Sequence, residues 1–287
     1  MILFSILICS IYCFLMIWLS EGIIRTVKKD ENKNTEFEYP FVSIIIAAKN
    51  EEVNIVNLLN SLCKQSYSQN NYEIIIVDDR SSDQTSKILK SKIKDIKNLN
   101  YIRIDSTPIG WGHKKWALNS ALKIAKGSII IQTDADCIAN KNWINSIVEG
   151  FIDPNTGFIS GPTPLSSKNF IQELLAFESN AQDSFSAAGL VHGLVFSCVG
   201  RNIAFRKKVF DEISGYSGIE HLESGDDDLL MHKISKMTNY KIKFLFTPDA
   251  SVKSKPPSSI TKFINQRLRF ASKGLFYFTL VFVFRKV

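Results

Sequence analysis

The chain has 287 residues, a formal charge of +7 and 45% hydrophobic residues, enough for one large or two small domains with a buried core. Its five cysteines are odd in number and form no Cys-x-x-Cys pair, which argues against a disulfide framework or a zinc site. The positive charge suits anionic lipid or a phosphorylated substrate as partner. Because the basic residues are scattered and carry no recognised motif, no nucleic-acid binding is expected.

The first segment of the chain predicts a transmembrane helix over residues 1–20. No charged residue lies between Ile2 and Ser20, and a helix of that length spans roughly 30 Å, the thickness of a bilayer's hydrocarbon core. A secretory signal is the alternative, but no basic residue precedes the apolar run and no clear cleavage site follows it. Arg25, Lys28 and Lys29 come after the run, so the positive-inside rule places the rest of the chain on the cytoplasmic face of the cell's inner membrane.

A polar linker over residues 21–40 is expected to lead into an α/β domain over residues 41–257. Short apolar runs alternate with amphipathic stretches, which predicts a mostly parallel sheet covered by helices on both faces. Asn50 is expected to open the first helix of this domain, with Val53, Val56, Leu59 and Leu62 on its buried face. The other predicted elements are strands at 41–48, 73–77, 101–104, 128–132, 157–163 and 241–246 and helices at 114–125, 142–151 and 169–186.

Two carboxylates follow the apolar strand that ends at Gln132. Asp134 and Asp136 are separated by one small residue, and such a pair at the carboxyl end of a parallel strand can share a hard divalent cation such as Mg²⁺ or Mn²⁺. A polar loop without metal is the plainer interpretation. Asp78 and Asp79 also follow a strand, where a carboxylate can accept hydrogen bonds from the imide N–H of uracil or from ribose hydroxyls.

Two further stretches carry residue types suited to phosphate and proton chemistry. Glycines and lysines at 110–115 open a helix, where free backbone N–H groups and the helix dipole favour a phosphate, and Lys114 is the candidate contact. The cluster from Glu223 to Asp228 places three adjacent carboxylates at another helix start. Their crowding is expected to raise at least one pKa toward the range of a general base. A glycine-rich dinucleotide loop and a Walker-type phosphate loop are both absent from the sequence.

Taken in order, these motifs resemble the inverting family 2 glycosyltransferases of the GT-A fold, over roughly residues 41–274. The resemblance implies a nucleotide-diphosphate sugar donor, here a UDP-sugar, with Asp136 and Asp134 holding the metal. It also implies Asp226 as the catalytic base, with Glu223 taking that role if the register is shifted. Three positions depart from the family pattern, namely His113 for a glycine, Gly225 for an acidic residue and Phe270 for a tryptophan.

The resemblance also assigns donor-binding roles elsewhere in the chain. Residues 42–52 look like the first donor-binding segment of the family, and residues 198–206 resemble the segment beside the donor sugar. In the latter, Asn202 either bonds sugar hydroxyls or holds a turn. Residues 266–270 resemble the Gln-x-x-Arg-Trp motif, in which an arginine can neutralise the leaving diphosphate. The candidate donor-contacting residues are Ala47, Asn50, Glu51, Asp78, Asp79, Lys114, Asp134, Asn202 and Gln266, and the catalytic candidates are Asp226 and Arg269.

The C-terminal part of the chain points to a membrane surface. Residues 258–274 predict an amphipathic interface helix, with Ile264 and Leu268 on its apolar face and Lys262 and Arg267 among its charges. Residues 275–287 form an apolar tail of about half a membrane span, which either dips into the interface or belongs to a shortened version of a longer protein. A lipid or lipid-linked sugar is therefore the expected acceptor, and a growing polysaccharide is the alternative. A nucleotidyltransferase and an inactive sugar-nucleotide-binding homologue are the other functions considered.

Overall fold

A computed structural model describes residues 2–29, 39–257 and 259–271. Nine helices and nine strands lie in these ranges. The helices are α1 (Ile2–Lys29), α2 (Ile55–Cys63), α3 (Thr85–Asp95), α4 (His113–Ile124), α5 (Trp143–Gly150), α6 (Phe170–Val191), α7 (Lys207–Glu212), α8 (Asp228–Met237) and α9 (Ile260–Ala271). The strands are β1 (Val42–Ala48), β2 (Tyr72–Asp79), β3 (Leu99–Ile104), β4 (Ile129–Gln132), β5 (Ile138–Ala139), β6 (Thr156–Ser160), β7 (Ile203–Arg206), β8 (Lys241–Phe244) and β9 (Val252–Lys253).

A seven-stranded sheet forms the centre of the domain, in the order β3-β2-β1-β4-β7-β6-β8. The pairs β1–β2, β1–β4, β2–β3 and β6–β8 are parallel, while β7 runs antiparallel to both of its neighbours. Every residue of β2 and β4 is buried because helices cover both faces of the sheet, which explains their continuous apolar sequences. The predicted α/β fold with a mostly parallel sheet is confirmed.

Strand register brings the acidic segments to one edge of the sheet. Ala48 of β1 pairs with Asp78 of β2, and Ile45 of β1 pairs with Gln132 at the end of β4. Gln132 in turn pairs with Ile203, the first residue of the antiparallel β7. The segments after β1, β2 and β4 and the segment before β7 therefore meet, at the edge where open α/β sheets hold their ligands.

Three helix boundaries differ from the sequence-based expectation, and one of them is the end of α6, which lies at Val191 rather than at residue 186. α1 continues to Lys29, so the first part of the expected linker at 21–40 is helical, and residues 30–38 lie outside the described part of the chain. α2 begins at Ile55 rather than near Asn50, which leaves Val53 exposed. The reason is that Asn50 adopts a left-handed conformation with φ of 56°, and a helix does not pass through such a residue.

α1 and α9 are the helices of interest for a membrane. α1 contains a 25-residue segment, Ile2–Thr26, that is long and apolar enough to cross a membrane, and it packs against α6. α9 lies within the range expected for the amphipathic helix. Residue 258 and residues 272–287, which include the expected apolar tail, lie outside the described residues.

Candidate functional site

A cavity of about 1160 Å³ opens at the edge of the sheet where these segments meet. Side chains from the loops after β1, β2 and β4, from the start of α4, from the loop before α8 and from α9 line it together. The sequence-predicted residues that line it are Ala47, Glu51, Asp79, Lys114, Asp134, Asp136, Glu223, Asp226 and Gln266. The expected metal-binding carboxylates and the expected base thus share one cleft, although they come from distant parts of the chain.

Lys114 joins the two acidic walls of this cleft. Its Nζ lies 2.8 Å from Asp134 Oδ1 and 3.0 Å from Asp226 Oδ2. Burial of the ammonium favours its neutral form, but the charges of Asp134 and Asp226 outweigh this and raise the pKa of Lys114 well above its usual value. Lys114 is therefore a fixed positive charge held between the two carboxylates.

The Asp226 carboxylate has two side-chain partners on one oxygen. Gln132 donates from Nε2 to Asp226 Oδ2 over 2.8 Å, and the Lys114 ammonium contacts the same oxygen. The neighbouring carboxylates have different partners, since Asp227 accepts hydrogen bonds from the backbone N–H groups of Gly200 and Asp228. All three adjacent acids line the cavity, and the Asp227 side chain caps α8. Asp226 precedes the helix and faces the cavity.

Buried lysine and glycine residues fix the acidic loop beside the start of α4. Lys115 donates from Nζ to the carbonyl oxygens of Leu222 and Ser224 over 2.7 and 2.5 Å. A Cβ at Gly112 would lie 2.3 Å from the Leu222 oxygen, so only glycine permits this approach. Gly225, which departs from the family pattern, has φ of +87°, and a Cβ there would lie 2.3 Å from the Leu229 side chain. The glycine is thus a requirement of this backbone.

The Asp136 carboxylate has features that suit a cation. Burial raises its pKa, and the neighbouring charge of Asp134 raises it further. Its oxygens receive long contacts of 3.5 Å from Cys137 Sγ and Ser254 Oγ, and a hydrogen bond from its own backbone N–H acts to lower the pKa. A cation would stabilise the ionised form of this buried carboxylate. The donor set therefore fits Mg²⁺ or Mn²⁺ bound by one or two carboxylates together with substrate phosphates. Within residues 2–29, 39–257 and 259–271, no three His, Cys, Asp or Glu side chains are grouped to hold a metal by themselves.

Glu51 adds to the negative charge around Asp136. Its carboxylate accepts a 2.8 Å hydrogen bond from the side chain of Asn54. Burial raises the pKa of Glu51 against the effect of that hydrogen bond, and the charges of Asp136 and Asp134 contribute in the same direction as burial. The acids of this wall therefore favour any ligand that brings positive charge.

The two carboxylates after β2 have different environments. Asp78 is fully buried and accepts hydrogen bonds from the Ser81 backbone, Tyr101 and Arg103 at 2.8 to 3.0 Å. Burial acts to raise the pKa of Asp78, but these hydrogen bonds and the Arg103 charge outweigh it and lower the pKa. Asp79 instead lines the cavity, with its Oδ1 2.7 Å from Arg80 Nε. Asp79 is the one of the pair that can reach a ligand without rearrangement.

Asn50 and Asn202 serve the backbone in this structure. Asn50 joins the loop after β1 to the loop after β2, because its N–H donates to Ser81 Oγ and its Oδ1 accepts from the Ser82 N–H. Neither asparagine lines the cavity. Asn202 is fully buried, and its amide bonds the Trp143 indole and the carbonyl oxygens of two residues. Those oxygens belong to Pro162 and Ala250. For Asn202 the structure thus favours the turn-holding alternative over the sugar contact.

Sequence reasoning does not single out two residues at the cleft. Gln132, the last residue of β4, lies buried behind the cavity and donates a hydrogen bond to Asp226. Arg201 lines the cavity, and its buried Nε has no hydrogen-bond partner within the described part of the chain. The signal for Arg201 is its position within residues 198–206, the segment that resembles the family's donor-sugar segment. Arg269, an expected catalytic residue, lies in α9, but its side chain falls outside the described residues.

Solved structures with this architecture identify the fold. The mannosyltransferase PcManGT from Pyrobaculum calidifontis, in complex with GDP-Man and Mn²⁺, superposes with a TM-score of 0.64 at 20% identity, covering 92% of this chain and 71% of that one. Staphylococcus aureus TarS, in complex with UDP-GlcNAc, superposes with a TM-score of 0.56 at 22% identity, covering 77% and 60%. The architecture is that of the GT-A class of glycosyltransferase fold.

The family is established by sequence. The profile of glycosyl transferase family 2 matches residues 43–214, well over half of the chain, so the protein belongs to that family. Among its relatives, the beta-monoglucosyldiacylglycerol synthase of Trichormus variabilis is 28% identical over 255 residues, 88% of this chain and 53% of the relative. The poly(ribitol-phosphate) beta-glucosyltransferase of Bacillus spizizenii is 34% identical over 124 residues, 42% and 19%. The chain spans about half the length of the first of these relatives.

Proposed function

We propose that this protein transfers a sugar, with inversion, from a UDP-sugar to a lipid or lipid-linked acceptor at the cytoplasmic face of the inner membrane. The observation that carries the proposal is the single cleft in which Asp134 and Asp136 face Asp226, with Lys114 between them. The relative named beta-monoglucosyldiacylglycerol synthase supports a lipid acceptor, and α1 supports attachment to a membrane. The poly(ribitol-phosphate) glucosyltransferase relative keeps a polymer as the alternative acceptor.

The chemistry assigns each wall of the cleft a task. Asp226 accepts the proton of the acceptor hydroxyl, whose oxygen forms a bond to the anomeric carbon while the bond from that carbon to the diphosphate breaks. Gln132 and Lys114 contact Asp226 Oδ2 and hold the carboxylate in place before it receives the proton. Because the acceptor attacks from the face opposite the leaving group, the configuration of the sugar inverts.

The donor is held by the remaining cavity residues. Asp79 contacts the nucleoside, while Ala47, Glu51 and Gln266 line the surrounding surface. Asp136, with Asp134, holds Mg²⁺ or Mn²⁺, which when bound supplies positive charge beside the departing diphosphate. Lys114 and Arg201 contribute protein charge on the same side. A role for Arg269 in neutralising the leaving group remains a prediction.

Transfer assays with two variants test this proposal. The wild-type protein is expected to transfer label from a UDP-sugar to a lipid extract only with Mg²⁺ or Mn²⁺ present. Asp226→Asn is expected to lower transfer by about 10² to 10⁴-fold, the usual contribution of a general base. The thermal stabilisation of this variant by the UDP-sugar and Mn²⁺ is expected to equal that of the wild type. Asp136→Ala is expected to lose both the transfer activity and this thermal stabilisation. Asp153→Asn, which alters an ion pair with Lys241 outside the cleft, is the matched control.

Several outcomes would contradict the proposal. Transfer by Asp226→Asn at the wild-type rate would remove the assigned base. Pyrophosphate release from a nucleoside triphosphate would identify a nucleotidyltransferase. Binding of a nucleotide sugar with neither transfer nor hydrolysis would identify an inactive sugar-nucleotide-binding homologue. If label is found only in water-soluble polymer, the acceptor is a polymer and not a lipid.

A further inference from the structure

One face of α6 carries a continuous row of residues at spacings of three and four, the spacings with which a helix presents a seam to a partner. We call this row the α6 stripe. The opposite face of α6, which includes Ser179 and Asp183, is buried against the domain. The residues of the stripe are Phe170, Leu174, Phe177, Ala181, Phe185, Ala188 and, directly after the helix, His192.

α1 covers the second half of the stripe. The Trp18 indole stacks on His192 with ring centroids 4.4 Å apart, and its centroid lies 6.5 Å from that of Phe185. A Cβ added at Gly22 would lie 2.7 Å from Ala188 Cα, so the two helices are in close contact through small residues. The half of the stripe from Phe185 onward is thus a helix–helix interface with the candidate membrane span.

Nothing in the described part of the chain covers the first half of the stripe. Phe170, Leu174 and Phe177 are 72%, 52% and 74% exposed, and Ile171 beside them is also largely exposed. Single exposed apolar residues are ordinary, but a row of large ones on one helix face marks an interaction surface. These residues continue the same helix face on the N-terminal side of the half that α1 covers.

α9 extends this surface on one side. Arg267 of α9 forms an ion pair with Glu178 of α6, which fixes the two helices together. Ile264 and Leu268 of α9 are largely exposed, and Lys262 adds an exposed positive charge. Apolar side chains flanked by cationic ones suit the boundary between acyl chains and anionic headgroups.

We propose that the uncovered half of the α6 stripe, with the exposed apolar residues of α9, is embedded in the surface of the bilayer that α1 crosses. This inference rests on the proposed anchoring of the protein by α1. Gln182 of α6 and Gln266 of α9 both line the cavity, so the embedded surface places the cavity mouth at the bilayer. A lipid acceptor would then reach Asp226 from the membrane without passing through water.

Photo-crosslinking of the full chain in phospholipid vesicles containing phosphatidylglycerol tests this surface. A benzophenone amino acid is placed at Phe177 or Leu174, at Ile11 of α1 as the anchor reference, and at Ile93 of α3 as an exposed apolar control. The two α6 positions are expected to give lipid adducts at yields within about 3-fold of Ile11, and roughly 10-fold above Ile93, if they contact acyl chains.

The possible results separate this inference from the anchoring on which it rests. Lipid adducts at Ile11 with none at Phe177 or Leu174 would overturn the embedded surface and leave the anchor intact. Protein–protein adducts at Phe177 would instead assign the stripe to a second copy or to another segment of the chain. No lipid adducts at Ile11, Phe177 or Leu174 would overturn both proposals together.

An activity measurement gives an independent readout. The double variant Phe177→Ser, Leu174→Ser is expected to lower transfer to a vesicle-embedded acceptor by about 5-fold or more. The reason is that the cavity mouth is then no longer held at the bilayer surface. Transfer to a short-chain, water-soluble acceptor is expected to stay at the wild-type rate, since neither residue lines the cleft. An equal loss with both acceptors would contradict the inference, and Ile93→Ser serves as the matched control.

Discussion

Replacing Lys114 by methionine tests whether its ammonium compensates the acidic walls of the cleft. At an effective dielectric constant of about 20, unit charges about 3 Å apart attract by roughly 5 kcal/mol. Lys114 makes two such contacts, but its side chain is 34% exposed, so solvent screening reduces their contribution considerably. A loss of about 1–3 kcal/mol in the free energy of unfolding is expected, equivalent to roughly 2–10 °C in melting temperature for a domain of this size.

The same variant is expected to respond more strongly to a divalent cation. In the wild type, a cation at Asp134 competes with the Lys114 ammonium, whereas in Lys114→Met it supplies the missing charge. Tighter binding by about 10-fold would add roughly 1.4 kcal/mol to the stabilisation at saturating Mn²⁺. Thermal unfolding with and without Mn²⁺ measures both effects.

Lys49→Met is the matched control for this experiment. Lys49 lines the same cavity, but no ion pair to it is present in the described ranges of the chain. It is therefore expected to unfold close to the wild-type temperature and to show the wild-type response to Mn²⁺. If Lys114→Met behaves like Lys49→Met in both measurements, the compensating role given to Lys114 is wrong.

Two further predictions concern buried polar groups away from the reacting atoms. Burial raises the pKa of Asp183 to about 6. The pKa of Asp183 is therefore higher in the folded than in the unfolded chain. Its ionised carboxylate lowers the folding stability most above pH 6, and this loss decreases as the pH falls toward 4. Asp183→Asn is expected to raise stability by about 2 kcal/mol at pH 8 and little at pH 4, measured by denaturant unfolding, and an equal gain at both would refute the assignment. Asn202→Ala is expected to lower the free energy of unfolding by about 2–4 kcal/mol in the same assay. At low temperature, where the variant is folded, its transfer rate is expected to stay within a few-fold of wild type. Loss of transfer in the folded variant would instead support a contact between Asn202 and the sugar.

The acidic edge of the sheet could be predicted because the sequence carries its cause. Continuous apolar runs before Asp78 and Asp134 predict parallel strands buried on both faces, and parallel strands end at a common edge. The register of β1 with β2 and β4 then places both acidic segments there. The apolar pattern of each strand and the rule that parallel strands end at a common edge lead to the same prediction. This prediction therefore needs no knowledge of contacts between distant parts of the chain.

The contacts between the walls could not be predicted in this way. The hydrogen bond from Gln132 to Asp226 depends on the antiparallel insertion of β7 beside β4, which leaves no local signature in either segment. Likewise, Asn50 was assigned to the donor because the sequence cannot show that its side chain closes a turn with Ser82. Such residues are chosen by tertiary contacts, and an asparagine that bonds a ligand looks the same in sequence as one that bonds a backbone.

The position of Lys114 links the proposed proton transfer to the departure of the diphosphate. Before reaction, two carboxylates share its ammonium, which limits how strongly it attracts a phosphate. When Asp226 takes the acceptor's proton it becomes neutral. Only the Asp134 carboxylate then competes with the phosphate for the Lys114 ammonium. At the same moment the leaving diphosphate gains a negative charge as its bond to the sugar breaks. One side chain therefore becomes more available to the leaving group in the step that creates the charge, which is the differential stabilisation that catalysis requires.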